Sequence, residues 1–152
     1  MCGAAFDVIQ MKSANILLVE DDELDVKAVR RAFRDLRIGN PLFEARDGIE
    51  ALDLLRGTNG YTAIPNPRII LLDLNMPRMG GIEFLDEIRK DPTLHSCVVF
   101  VMTTSTAEED RVKAYDRNVA GYVLKHSPGR SFLDAMVMLD HYWRIVELPN
   151  NT

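Results

Sequence analysis

Short aliphatic runs alternate along the chain with longer stretches in which apolar residues recur every three or four positions. Ile16–Val19 reads as a buried strand ending in the acidic cluster Glu20, Asp21, Asp22 and Glu23. The stretch after it sets Val29, Ala32, Phe33 and Leu36 at helical spacing, and Gly39, Asn40 and Pro41 stop it. Leu42–Ala45 predicts a second strand, and Asp47-Gly48 leads into a short helix with Ile49, Leu52 and Leu55 on one face. A loop dense in Gly, Asn and Pro runs from Gly57 to Pro67. Ile69–Leu72 is the third strand, with Asp73 at its carboxyl end, and Gly81–Lys90 is a helix stopped by Asp91-Pro92. Val98–Met102 predicts a fourth strand, followed by Thr103-Thr104-Ser105-Thr106 and a charged helix over about Ala107–Asn118. Tyr122–Leu124 is the fifth strand and ends at Lys125; the last helix, about Ser131–Val146, carries Phe132, Met136, Leu139 and Trp143 along one side.

Five strand–helix units in this order predict an α/β fold, a (βα)5 doubly wound, five-stranded parallel sheet. The strands are almost wholly aliphatic rather than alternating, which fits a sheet buried on both faces. The pattern divides the chain into an N-terminal extension (1–13), one domain (14–146) and a C-terminal tail (147–152), with no internal repeat.

Composition narrows the function classes. Hydrophobic residues make up 47% of the 152 and charged residues 27%, ordinary values for a globular protein. The net charge of −5 argues against direct DNA binding, which calls for a basic patch. No apolar run is long enough to cross a bilayer, and Met1–Gln10 lacks the features of a signal peptide, so the expected compartment is the cytoplasm. Cys2 and Cys97 have no metal-ligand spacing and suggest reduced thiols.

In an open parallel sheet, ligands bind beyond the carboxyl ends of the strands. Those ends carry Glu20 and Asp21, Asp73, Thr103 and Lys125: three carboxylates, a hydroxyl and an amine from distant parts of the chain. Clustered carboxylates repel one another unless a cation compensates, and Mg²⁺ takes hard oxygen ligands while bridging to phosphate. A carboxylate so placed can attack phosphorus as a nucleophile. Lys125 then offers a cation, and Thr103 a hydroxyl donor, for the phosphoryl oxygens. Each residue alone has a plainer reading. Asp21 or Asp22 could be a helix N-cap, with Asp22 the better candidate, and Thr104–Thr106 read as caps of the following helix. Lys125 alone would be a solvated lysine, Tyr122 a core residue of an edge strand, and His126 a loop residue. Cys97 reads as a small core hydrophobe, and Trp143 fits core and dimer contact equally. The coincidence of Glu20, Asp21, Asp73, Thr103 and Lys125 at matching strand ends favours the site.

The runs Ile16–Asp22, Leu72–Gly81, Val101–Ser105 and Gly121–Lys125 resemble the receiver domains of response regulators, over about residues 14–146. The resemblance implies a flavodoxin-like (CheY-like) fold that accepts a phosphoryl group on Asp73 from a sensor histidine kinase and passes the signal to a downstream phosphotransfer or effector protein. It implies Mg²⁺ held by Glu20, Asp21, Asp73 and the backbone carbonyl of Asn75. Thr103 becomes the switch hydroxyl, Lys125 the phosphate-contacting lysine, and Tyr122 the aromatic that changes rotamer with state. Where that family places a cis proline after the lysine, this chain has His126. The bond there is either cis or relaxed to trans, with Ser127-Pro128 taking over part of the turn.

The loop at Gly57–Pro67, the Thr-Thr-Ser run, the missing proline and the C-terminal Trp followed by Leu-Pro are similar to single-domain regulators paired with bacterial phytochromes. That narrower resemblance implies a light-regulated kinase as partner and a homodimer contact from His141 to Thr152. Two rival readings stand beside it. A Mg²⁺-dependent phosphohydrolase would want a second Asp two residues after Asp73, where Asn75 stands and cannot transfer a proton. An interaction module indifferent to phosphorylation would have no use for the intact constellation.

Overall fold

The computed structural model describes residues 13–126 and 131–149. Strands and helices alternate throughout: β1 (Asn15–Val19), α1 (Glu23–Asp35), β2 (Leu42–Ala45), α2 (Gly48–Arg56), β3 (Arg68–Leu72), α3 (Gly81–Lys90), β4 (Val98–Thr103), α4 (Glu108–Asp116), β5 (Gly121–Leu124) and α5 (Phe132–Ile145). All pairings are parallel, in the order β2-β1-β3-β4-β5. Strand order therefore reverses between β1 and β3, and the crevice that opens at such a reversal lies beyond Val19 and Leu72. The extension expected at 1–13 falls, apart from Ser13, outside the described residues, as do Cys2, Ser127-Pro128 and residues 150–152.

Because side chains alternate across a strand, neighbouring strand residues feed opposite cores. Ile16, Leu18, Ile69, Leu71, Phe100 and Met102 pack against α1 and α5. Leu17, Val19, Ile70, Leu72, Val99 and Val101 pack against α2, α3 and α4. Both faces are covered, which is why the strands read as unbroken aliphatic runs. Trp143, equally core or interface by sequence, is 3% exposed, with its ring tilted against Phe33 at 6.1 Å between centroids. Cys97 is partly buried against the other core.

The helix starts follow local chemistry, with two departures from expectation. Asp22 caps α1 by accepting from the backbone N–H of Leu24 and Asp25, Asp47 caps α2 through Glu50, and Ser131 and Asp134 form a capping box on α5. At α4 the N-cap is Ala107, without a side-chain cap. The expected capping role of Thr104–Thr106 reduces to Ser105, whose Oγ accepts weakly from the Ala107 N–H at 3.3 Å and donates to Asp110 Oδ2 at 2.6 Å. In α2, Ile49 is exposed instead of buried. Gly48, Ala51, Leu52 and Leu55 make the inner face, and Ile49 lies one helical step around from it.

The fourth helix is thinly anchored, since Ala114 is its one buried residue. Its C-terminal end is held firmly, however. The Arg89 guanidinium, half-buried on α3, donates to the carbonyl oxygens of Arg117, His95, Cys97 and Asn118 at 2.7–3.1 Å, and Arg117 in turn pairs with Asp86 at 2.6 Å.

Candidate functional site

Glu20, Asp21, Asp73, Thr103 and Lys125 gather at the carboxyl ends of the strands, whereas Tyr122 lies within the edge strand β5. Glu20 and Asp21 follow β1, and Asp73 follows β3, where its N–H donates to the Val19 carbonyl at 3.0 Å. Thr103 ends β4 and accepts, through its carbonyl, the Lys125 N–H at 2.9 Å. The parallel ladder itself thus sets Asp73 between the acidic pair and the hydroxyl and lysine. Glu20, Asp73, Thr103 and Lys125 are buried, whereas Asp21 and Asn75 are exposed.

One carboxylate oxygen from each of Glu20, Asp21 and Asp73 falls within 4.8 Å of the others. Three hard oxygen donors so grouped fit a divalent cation such as Mg²⁺ or Mn²⁺. The electrostatics favour the same kind of ligand. Burial pushes the Glu20 carboxyl up to about 7, against the hydrogen bond from Lys125, and the charge of Asp73 adds to the rise. Asp73 is raised as well, first by burial, against the pull of Lys125, with Asp21 adding repulsion. Desolvation, more than the mutual repulsion expected from sequence, thus drives both shifts, and a bound cation would offset either cause. Backbone N–H groups of Asn75 and Leu74 partly support the Asp73 carboxylate.

Lys125 does not rest on Asp73. Its Nζ donates to Glu20 Oε2 at 2.5 Å and to Asp25 Oδ2 at 2.7 Å, while Asp73 Oδ1 stands 3.7 Å away. Burial alone would lower the lysine pKa, but the two carboxylates hold it above its ordinary value. Among the described residues the one cis peptide is Asn66–Pro67, so the Lys125–His126 bond is trans. His126 is exposed.

Thr103 Oγ1 accepts from the Ser105 N–H at 3.2 Å. The half-buried Tyr122 donates its hydroxyl to the Ser105 carbonyl at 3.0 Å, with the Arg111 guanidinium 5.8 Å from its ring centroid. Ser105 thereby bridges the hydroxyl of β4 to the aromatic of β5.

Sequence reasoning missed two participants. Asp25 carries no motif, because an acid in the first turn of a helix usually answers the helix dipole. Asp47 and Arg78 form the other omission. Arg78 Nε donates to Asp47 Oδ2 at 2.6 Å and ties the loop after Asp73 to the start of α2. Burial would raise the Asp47 carboxyl, but the hydrogen bond and charge of Arg78, together with the backbone N–H groups of Glu50 and Ile49, outweigh it and hold the carboxyl low.

Gly81 opens α3 directly against this loop. A Cβ there would lie 2.7 Å from the Asp73 carbonyl oxygen and 2.7 Å from Leu74 Cα, so the backbone at Asp73 and Leu74 would have to move. Gly81→Ala should cost ~1–3 kcal/mol by overpacking. It should also weaken divalent-cation binding severalfold. Thermal unfolding with and without Mg²⁺ checks both, and an unchanged cation response would show that the loop absorbs the methyl elsewhere.

Comparison with known proteins gives a consistent result. A family model described as the response regulator receiver domain matches residues 16–137. Response regulator Rcp1 of Synechocystis sp. is 35% identical over 135 residues, covering 88% of this chain and 92% of Rcp1. Among solved structures, the phosphorylated cyanobacterial phytochrome response regulator RcpA aligns with a TM-score of 0.81 and 33% identity, over 90% of this chain and 99% of that one. The Mn²⁺-bound form of Rcp1 aligns with a TM-score of 0.79 and 34% identity, with the same coverage.

Proposed function

Because the chain belongs to the response regulator receiver domain family, and so serves as a phosphoacceptor in two-component signalling, we propose that Asp73 is the residue that takes the phosphoryl group. The observation that carries this is the buried Asp73 carboxylate, grouped with Glu20 and Asp21 on one side and within 3.7 Å of Lys125 on the other. The receiver unit spans residues 14–146.

An oxygen of Asp73 attacks the phosphorus of a phosphohistidine on the kinase. The new P–O bond forms as the P–N bond breaks, and the imidazole nitrogen keeps the electron pair and takes up a proton. Glu20, Asp21, Asp73 and the carbonyl of Asn75 would hold Mg²⁺, which supplies positive charge against the phosphoryl oxygens. Lys125, whose Nζ stands 3.7 Å from Asp73 Oδ1, turns from Glu20 and Asp25 toward that group. The Thr103 hydroxyl turns toward it and gives up the Ser105 N–H. That loosens Ser105, on whose carbonyl the Tyr122 hydroxyl rests, and Tyr122 takes its other rotamer. Water attacking the same phosphorus returns inorganic phosphate and free Asp73. The chain thus assists its own dephosphorylation but turns over no separate substrate; Asn75, two residues beyond Asp73, cannot act as a proton shuttle.

The partner is a sensor histidine kinase of the phytochrome kind in the cytoplasm, a reading supported by the likeness to Rcp1 and RcpA. No helix of the described residues is long and apolar enough to cross a membrane. Output passes to a downstream phosphotransfer or effector protein rather than to DNA. A homodimer contact at His141–Thr152 is supported by Ile145, which is 77% exposed although Trp143 beside it is turned into the core.

The test is intact mass after incubation with acetyl phosphate. One phosphate should be gained with Mg²⁺ and none with a chelator. Absence of any gain, from acetyl phosphate and from a phosphorylated phytochrome kinase alike, would overturn the reading.

A further inference from the structure

We infer that Asp25 is a positioning residue which holds the Lys125 ammonium away from the acceptor and so sets how strongly the site grips a phosphoryl group. The inference rests on the phosphoacceptor reading of Asp73. An ammonium has three N–H donors, and two of them are already committed to carboxylates, Glu20 at 2.5 Å and Asp25 at 2.7 Å. These partners differ in kind. Glu20 belongs to the group of oxygens that fits a divalent cation, so its charge is shared once a cation binds. Asp25 does not belong to that group, and its claim on Lys125 persists whatever occupies the site.

Geometry places Asp25 for this task. It lies in the first turn of α1, where Asp22 fixes the start of the helix by accepting from the Leu24 and Asp25 N–H groups. Its carboxylate meets Lys125 across the crevice and lines, with Glu20, Asp73 and Phe132, the small cavity into which the lysine projects. The side chain is 34% exposed, whereas that of Lys125 is 8% exposed, so Asp25 is the solvent-side partner of a buried cation. A phosphoryl group on Asp73 must compete with it for the lysine. Hydrogen bonds to an ionised acceptor are roughly twice as strong as those to a neutral one. Replacing the carboxylate by an amide of the same shape therefore weakens the hold without emptying the space.

The test measures two affinities in the full chain: Mg²⁺ alone, and beryllofluoride, a phosphoryl mimic, with Mg²⁺ present. Asp25→Asn and Asp25→Ala should tighten beryllofluoride by about threefold to tenfold, the range expected for one hydrogen bond. Both should weaken Mg²⁺ slightly, because a neighbouring negative charge is lost. Opposite signs separate positioning from damage to the fold, which would weaken both. Glu23→Gln supplies the control, for Glu23 is an exposed acid of the same turn whose ion-pair partner is Arg46, not Lys125. It removes the same charge and should leave beryllofluoride affinity near wild type. An equal effect from Glu23→Gln, or unchanged or weaker beryllofluoride binding in both Asp25 variants, overturns the inference while the acceptor reading stands. Failure of the wild-type protein to bind beryllofluoride overturns both.

Discussion

Asp73→Asn will abolish the gain of one phosphate expected of the wild-type chain with Mg²⁺ and acetyl phosphate. The amide has no nucleophilic oxygen, and the neighbouring carboxylates are poorly placed to replace it. Glu20 is buried with both oxygens occupied, Oε1 by the Asp22 N–H and Oε2 by Lys125. Asp21 is exposed, and among the described contacts Lys125 is bonded to Glu20 and Asp25 and not to it. The substitution should leave the fold intact. It removes one of three grouped charges, and Lys125 keeps Glu20 and Asp25 as partners. Intact mass reads the first effect, and thermal unfolding in metal-free buffer reads the second, where the variant should melt no lower than wild type. A phosphate gain that survived in Asp73→Asn would move the acceptor to another carboxylate, with Asp21 the first to examine.

Trp143→Ala carries the largest expected loss of stability. The indole is almost wholly buried between α5 and α1, its ring against Phe33 and its Nε1 donating to Asp140 Oδ1 at 3.1 Å. Truncating such a side chain typically costs ~3–5 kcal/mol, through lost transfer energy and the cavity left behind. Against a total stability of ~5–15 kcal/mol, that is a large fraction. Urea unfolding should show the midpoint falling sharply, with Trp143→Phe intermediate. A small loss in the monomer together with a change in oligomeric state would instead make Trp143 an interface residue.

The fold was legible because each strand is an aliphatic run with a chemically distinct residue at its end. Leu71-Leu72-Asp73 and Val123-Leu124-Lys125 announce both a buried strand and its functional terminus. The acidic group, Thr103 and Lys125 were legible for the same reason. What could not be read were pairings between elements. Asp25 stands 100 residues from Lys125, and its partner is settled only by how α1 crosses the end of the sheet. Arg78 and Asp47 are likewise joined by the return of a loop. Trp143 was ambiguous in one dimension because α5 reaches past the sheet, and α1 proves to cover it there. Ile49 and Ala107 show the complementary error: spacing and composition gave a plausible face and a plausible cap, and the chain's path through neighbouring turns chose otherwise.

Arg89 has one more consequence. By gathering four carbonyl groups from the loops on either side, it nails down the far end of α4, where the helix's one buried residue, Ala114, also lies, while the near end rests on Ser105. A helix fixed at one end and lightly held at the other behaves as a lever with a pivot. Nine residues at 1.5 Å rise make an arm of ~13 Å. A shift at Thr103 and Ser105 therefore acts at the tip of that arm, where the least force is needed. Such a helix would swing rather than slide, and the swing would carry the exposed Val112 and Tyr115 through a small arc.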